Sequence, residues 1–330
     1  MKAIVMTKFG PPEVLQLQEI AKPVPKDNEV LVKIHATTAF AGDCELRSLK
    51  VPLELRLPFL IYLSFARPKP IILGQELAGE IEAIGKDVRK FKVGDPVFGT
   101  TSIGLGAYAH YKCMPEEPGR LGGALAAKPA NLSFAEAAAV PVGGLEALHF
   151  LRKGKIQRGE QVLINGAGGS IGTMLVQLVK LRGARVTAVD SAEKLAGLRA
   201  IGADQVIDFT REDFTRSGLR YDAIYDVVGK SAISRSLRVL TPSGRYLLVN
   251  PGLSHRVKAR WAATGGQQVI QGAGSQRPED LLHLKDLIEA GQLRPVIDRS
   301  YPLEKMAEAH RYVDQGHKKG NVVVRVNHGN

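Results

Sequence analysis

The chain has 330 residues, enough for two ordinary domains with buried cores, and its 44% hydrophobic and 24% charged content excludes a disordered tail or a fibre. The net charge of +12 is scattered rather than gathered into a run, with no zinc-finger, RNP or basic-zipper pattern, so no nucleic-acid partner is expected. Two cysteines without a CxxC pair, Cys44 and Cys113, exclude a disulfide framework and a multi-cysteine metal lobe, and fit a reducing cytoplasm. In chain order, the opening KAIVM reads as a strand, too short for a secretory leader. Further strand and turn signals, VLVKIHA, AGEIEAIG, VGDPVFG and AYAHYKC, run to about residue 128, spaced as in a partly open β-barrel. Gly94-Asp95-Pro96 predicts a tight turn. The apolar stretch at 51–66 is broken by Pro52, Glu54, Arg56 and Pro58, so nothing here reaches transmembrane length.

From about 129 the texture changes to apolar strands alternating with helices. A helix is predicted over 135–151, then strand QVLIN, helix 171–181, strand ARVTAVD, helix 192–201, strand DQVID, strand YDAIYDVVG, helix 232–240 and strand RYLLVN. That spacing predicts a doubly wound parallel sheet. The remainder carries helices at 280–290 and 303–315 and a last strand, NVVVRV.

The loop Gly166-Ala167-Gly168-Gly169-Ser170-Ile171-Gly172 lies between strand QVLIN and a helix, in the register GxxGxxG. Glycines there let backbone approach a pyrophosphate, and the helix N-terminus offers free N–H groups with a partial positive charge. The next strand ends in Asp190, about twenty residues on, where a carboxylate meets the adenosine ribose. That leans toward NADH over NADPH; Ser191, Lys180 and Lys194 are near enough in sequence to receive a 2′-phosphate if the aspartate turns away.

In these residues the chain resembles the medium-chain dehydrogenase/reductase superfamily, in its zinc-free quinone oxidoreductase-like branch. GQELAGEIEAIGKDV, FKVGDPVFG, GAYAHY, LSFAEAAAVPVGGLEAL, INGAGGSIGTMLVQLVK, LRAIGADQVIDF and the run from IEAGQLRPVIDRSYPLEKMAEAH to GNVVV follow in order over nearly the whole chain. The resemblance implies an α/β protein in which a GroES-like catalytic domain (1–128 and 273–330) surrounds a Rossmann domain (129–272), with nicotinamide in the cleft between them. It further implies a homodimer formed through the edge strand, RYLLVN to QQVIQ. Cofactor contacts are implied at Phe40, Asn165, the loop residues Gly166, Gly168, Gly169, Ser170, Ile171 and Gly172, then Asp190, Ser191, Lys194, Val228, Gly229, Asn250, Pro251 and Asn321.

The zinc-dependent alcohol dehydrogenases of that superfamily hold metal through Cys and His. Here Phe40, Gln75 (followed by Glu76) and Val142 stand at those positions, which leaves too few donors for a catalytic zinc. Without a Lewis acid, conjugated acceptors suit better than alcohols: hydride added to a quinone or enone generates an oxyanion that hydrogen-bond donors stabilise and water or a tyrosine protonates. The expected activity is NAD(P)H-dependent reduction of small apolar quinones, enones or related carbonyls. The alternatives are a zinc-free alcohol dehydrogenase, or a cofactor-binding protein with little turnover, crystallin-like or associated with RNA or vesicles.

Candidate catalytic residues are Asp43, Glu146 and Tyr62. Asp43 matches the family and reads either as a cleft residue orienting cofactor or substrate, or as a turn cap. Glu146 replaces the threonine of the family's GLTA, which lies at the nicotinamide, and reads as a functional acid or a helix-surface residue. Residues 49–72, with Phe59, Tyr62 and Phe65, read as a lid, a peripheral membrane contact, or ordinary packed chain. Tyr62 and Tyr108 are proton donors only if they face the nicotinamide.

Overall fold

The parallel sheet and the barrel-like strands are both present in a computed structural model that describes residues 1–50, 56, 71–118, 123–229, 232–249, 265–272, 274 and 276–329. Contacts divide the chain into a first unit, Met1–Val142 with Gln276–Ala290 and Pro295–Asn330, and a second, Gly143–Ser275 with Gly291–Arg294.

In the first unit, β1 (Lys2–Met6) pairs antiparallel with β2 (Leu15–Glu19). The long β3 (Glu29–Thr38) buries Val30, Val32 and Ile34, the β-branched side chains that favour a pleated surface. After it come α1 (Ala41–Ser48) and the two-residue β4 (Ile71–Ile72), which pairs with β1. The strand β5 (Glu76–Ile84) lies antiparallel to β3, β6 (Pro96–Thr100) to β5, β7 (Tyr111–Pro115) to β3 and β8 (Ala124–Ala127) to β6. The turn before β6 forms as expected: Asp95 Oδ2 accepts the Lys92 N–H at 2.9 Å and Gly94 N–H donates to Ile81 O at 2.8 Å.

The helix expected at 135–151 is two helices, α2 (Phe134–Ala138) and α3 (Pro141–Gly154). Proline disfavours helical backbone in the residue before it and supplies no N–H, yet suits a first helical position, so the run breaks at Val140 and restarts at Pro141. Ser133 and Glu136 close a capping box on α2. Because α2 packs on β3, β5 and β6, the second unit starts at Gly143 and not near 129.

The second unit runs β9 (Gln161–Asn165), α4 (Ser170–Leu181), β10 (Arg185–Asp190), α5 (Ala192–Ala200), β11 (Gln205–Asp208), β12 (Tyr221–Asp226), α6 (Ile233–Arg238), β13 (Leu240–Leu248) and β14 (Gln268–Ile270). Its six strands among the described residues are all parallel in the order β11-β10-β9-β12-β13-β14. Chain order jumps between neighbours β9 and β12, the switch point outside which ligands bind in open α/β sheets. Consecutive residues of β9, β10 and β12 are buried, as in a parallel sheet covered on both faces.

The chain then completes the first unit with α7 (Pro278–Glu289), β15 (Ile297–Pro302), α8 (Met306–Asp314) and β16 (Asn321–Arg325). β16 pairs parallel with β15 and antiparallel with β3, so residues from both ends share one core with Ile4, Ile34, Leu77, Val97, Met306 and Val322. Each such side chain contributes roughly 1.5–3 kcal/mol on burial. Strands β2, β4, β8 and β15 were not among the expected runs: LQLQE and IDRSYP are largely polar, and ALAA has little β-propensity.

Candidate functional site

At the end of β9 the chain turns back over its own sheet. The N–H groups of Gly166 and Ala167 donate to Val189 O at 3.0 and 3.2 Å, which seats the loop on β10. Gly166 adopts φ +84°, and a Cβ on Gly172 would lie 2.4 Å from Gly166 O, so α4 can approach β9 this closely only without a side chain there. Gly169 is the N-cap of α4 and offers no side-chain cap, while its carbonyl accepts from Thr173. The loop thus delivers the chain into the start of α4 without a side chain over the helix end, and the first turn of a helix is the usual place for holding a phosphate.

Asp190 is held by three groups of its own chain. Its Oδ2 accepts the Gly168 N–H at 2.7 Å, its Oδ1 accepts the Ser191 N–H at 2.9 Å, and Lys194 Nζ pairs with Oδ1 at 3.0 Å. A carboxylate so engaged braces the glycine loop and has its charge offset by Lys194. Lys180 is occupied elsewhere, paired with Asp204 at 2.8 Å.

A cavity of about 430 Å³ opens at the C-terminal ends of these strands, lined by Asn165, Val189, Phe214 and Val228 with Phe209 and Arg235. Phe209 is 60% and Val228 47% exposed, large apolar side chains left facing the same space. Asp226, which sequence reasoning did not single out, holds the strand ends together. Its Oδ1 accepts from Asn165 Nδ2 at 3.1 Å and from Gly229 N–H at 3.0 Å, and its Oδ2 accepts the Tyr246 hydroxyl at 2.8 Å. The flexible-looking residues after β11, among them Phe209, Asp213 and Phe214, were likewise missed because a loop carries no periodic signal.

Glu146, in α3, is half-buried; burial raises its carboxyl above the ordinary range, and the carboxylate accepts the Gly274 N–H. It is thus no free helix-surface residue. Tyr62, Asn250 and Pro251, and the greater part of the 49–72 segment, lie outside the described residues.

The remaining expected residues lie in the first unit. Phe40 is the N-cap of α1, and Asn321, 2% exposed, donates Nδ2 to Val296 O at 3.1 Å and so secures β16 beside β15. Asp43 is fully buried: Gln75 Nε2 donates to Oδ1 at 3.2 Å and the Tyr108 hydroxyl to Oδ2 at 3.1 Å, and burial pushes the carboxyl up to about 6. Tyr108 is fully buried too, so neither side chain is open to a ligand in this arrangement. Behind it, His310 Nε2 stands 2.9 Å from the phenol oxygen and Arg47 Nε donates to His310 Nδ1 at 3.2 Å. Arg47 also donates to Gly10 O at 2.7 Å and pairs with Asp314. Burial, with Arg47 beside it, pulls the imidazole down to about 3, so it is neutral, and since Nδ1 accepts, the proton is on Nε2.

Glu76 is buried nearby, its Oε1 accepting the Val142 N–H at 2.8 Å and its Oε2 the Thr38 hydroxyl, and burial pushes its carboxyl up to about 7. Among the described residues no group of three or more His, Cys, Asp and Glu could hold a metal ion. No described helix is long and apolar enough to cross a membrane.

Two family models match the chain: an alcohol dehydrogenase GroES-like domain over residues 26–143 and a zinc-binding dehydrogenase domain over 201–324. A quinone oxidoreductase of Sus scrofa is 32% identical, over 97% of this chain and 95% of that protein. A 2-methylene-furan-3-one reductase of Solanum lycopersicum is 30% identical, over 98% of this chain and 79% of that protein. Among solved structures, the quinone oxidoreductase from Coxiella burnetii superposes with a TM-score of 0.88 at 28% identity, over 99% of both chains.

Proposed function

The chain belongs to the medium-chain dehydrogenase/reductase superfamily, in its zinc-free quinone oxidoreductase-like branch, and from that premise we propose that it reduces quinones, enones or related conjugated carbonyls with a nicotinamide dinucleotide as hydride donor. The observation that carries the reading is the glycine loop braced by Asp190, with the bare N-terminus of α4 on one side and the 430 Å³ cavity beside it. The residues present fit a dinucleotide: the glycine-capped start of α4 for a pyrophosphate, and apolar walls at Val189, Phe214 and Val228 for an adenosine.

When bound, the cofactor supplies the hydride. The chain's own part is to hold the pyrophosphate on α4, to keep water from the adenosine with Val189, Phe214 and Val228, and to keep the strand ends in register through Asp226. Addition at the β-carbon of an enone places charge on the carbonyl oxygen, which then takes a proton from water. Phenylalanine and valine at positions 40 and 142 offer no side-chain donor, and Gln75 is spent on Asp43, which supports turnover independent of metal.

For the finer choice of cofactor the reading is NADPH: with Asp190 turned to Gly168 and its charge offset by Lys194, the carboxylate no longer repels a 2′-phosphate beside Ser191. A homodimer through the edge of β14, the last strand of the sheet among the described residues, and action in the reducing cytoplasm belong to the same proposal, the latter supported by two free cysteines. Light scattering that gave a monomer mass at working concentration would remove the dimer.

The test is consumption of NADPH and NADH, followed by loss of the reduced-nicotinamide absorbance, with a panel of enones and quinones on wild type and Lys194→Ala. Turnover with at least one acceptor is expected, with NADPH preferred and that preference reduced in the variant. A protein that binds neither dinucleotide, or oxidises neither with any acceptor, sinks the reading.

A further inference from the structure

Resting on that function, we propose that Glu146 is a positioning residue: its carboxylate, together with Lys153, holds the backbone of Gly274 and Gln271 and so sets the seat of the nicotinamide half of the cofactor. Positions 146 and 153 lie seven residues apart and share a face of α3. From that face Glu146 accepts the Gly274 N–H and Lys153 Nζ donates to Gln271 O at 2.9 Å. The contacts are close: a Cβ on Gly274 would lie 2.4 Å from Glu146 Oε1, and one on Gly272 would lie 2.5 Å from Lys153 Nζ. Gln271 and Gly274 are thus each held through their backbone.

Their place after β14 gives the grip its purpose. The adenosine cavity lies at the ends of β10, β9 and β12, and the pyrophosphate loop leaves β9. A dinucleotide laid across the switch point therefore extends its other half toward β13 and β14, and Gln271 follows directly on β14. Here the acid is aimed at a backbone donor, which separates it from a proton-transfer role.

Binding of NADPH and of 2′-phospho-ADP-ribose, which lacks the nicotinamide, is measured by calorimetry on wild type, Glu146→Gln, Glu146→Ala and Lys153→Met. Loss of preorganisation is expected to weaken NADPH at least about fivefold in Glu146→Ala and measurably in Lys153→Met, with the fragment unchanged in both. Glu146→Gln, whose amide oxygen still accepts, should match wild type. If Glu146→Ala does not fold, Lys153→Met carries the same contrast. Equal weakening of NADPH and fragment, no weakening of either, or a Glu146→Gln as defective as the alanine variant overturns the clamp. A wild type that binds neither ligand overturns the proposed function, and the clamp with it.

Discussion

His310 Nε2 meets the Tyr108 hydroxyl at 2.9 Å with its polarity set from behind, since Arg47 can only donate to Nδ1. Proton donation therefore runs one way, from the Arg47 cation through a neutral imidazole and a phenol to the Asp43 carboxylate. Tyr108→Phe leaves Asp43 Oδ2 and His310 Nε2 buried with that partner removed. The expected cost is about 2 kcal/mol in urea unfolding, and an unshifted midpoint would show that the chain contributes nothing to stability.

Glu76 gives a pH signature. Its carboxyl, ordinarily at 4.5, is held up to about 7, so between those values the folded protein carries a proton that the unfolded chain has lost. The stabilisation is complete below 4.5 and disappears as pH rises through 7. Asp43 acts in the same sense between 3.8 and about 6, and His310, lowered from 6.5 to about 3, in the opposite one. Glu76→Gln removes only the first contribution. Its stability relative to wild type should rise by roughly 2 kcal/mol between about pH 5 and about pH 8; a constant difference across that window in urea titrations contradicts the assignment.

Gly172→Ala drives a methyl group into Gly166 O and the Ala167 backbone. Separation of α4 from β9 should cost roughly 2–3 kcal/mol and abolish dinucleotide binding, read by thermal unfolding and by titration with NADPH. Wild-type affinity in the variant would mean the loop does not carry the phosphate.

Phe209→Ala tests the cavity. Because the ring is 60% exposed, its loss should leave the melting temperature almost unchanged, while ADP-ribose binding weakens by about 1 kcal/mol or more through lost base stacking. Calorimetry giving the wild-type constant would remove the adenosine from this pocket.

Turnover should survive prolonged dialysis against a strong chelator at full rate, given Phe40, Gln75 and Val142 at the metal-ligand positions of the zinc enzymes. Activity lost to chelator and restored by zinc would contradict this.

What could be read from the residues was what is local. The glycine loop declares itself because Gly166 to Gly172 are contiguous and flanked by their strand and helix. Asp190 was found by spacing, but its direction depends on Gly168 holding one carboxylate oxygen while Ser191 and Lys194 hold the other. The Asp43 network was illegible because its members come from α1, the turn before β7 and α8, and Arg47 on a short helix reads as a solvated residue until burial and partners are seen. The one long helix failed on Pro141 alone, a residue that a purely apolar pattern passes over.

The pairing of β16 with β3 also bears on how the chain comes off the ribosome. Val323 lies against Thr38 across nearly the full length of the sequence, so the first unit's sheet cannot close until the last segment has emerged. The second unit is drawn almost entirely from one continuous stretch, Gly143–Ser275, and its local contacts can form much earlier. During synthesis the nucleotide-binding half should therefore exist as a folded body while the strands around Asp43 wait exposed, which makes the early strands β3 and β5 the part of this protein most in need of chaperone protection.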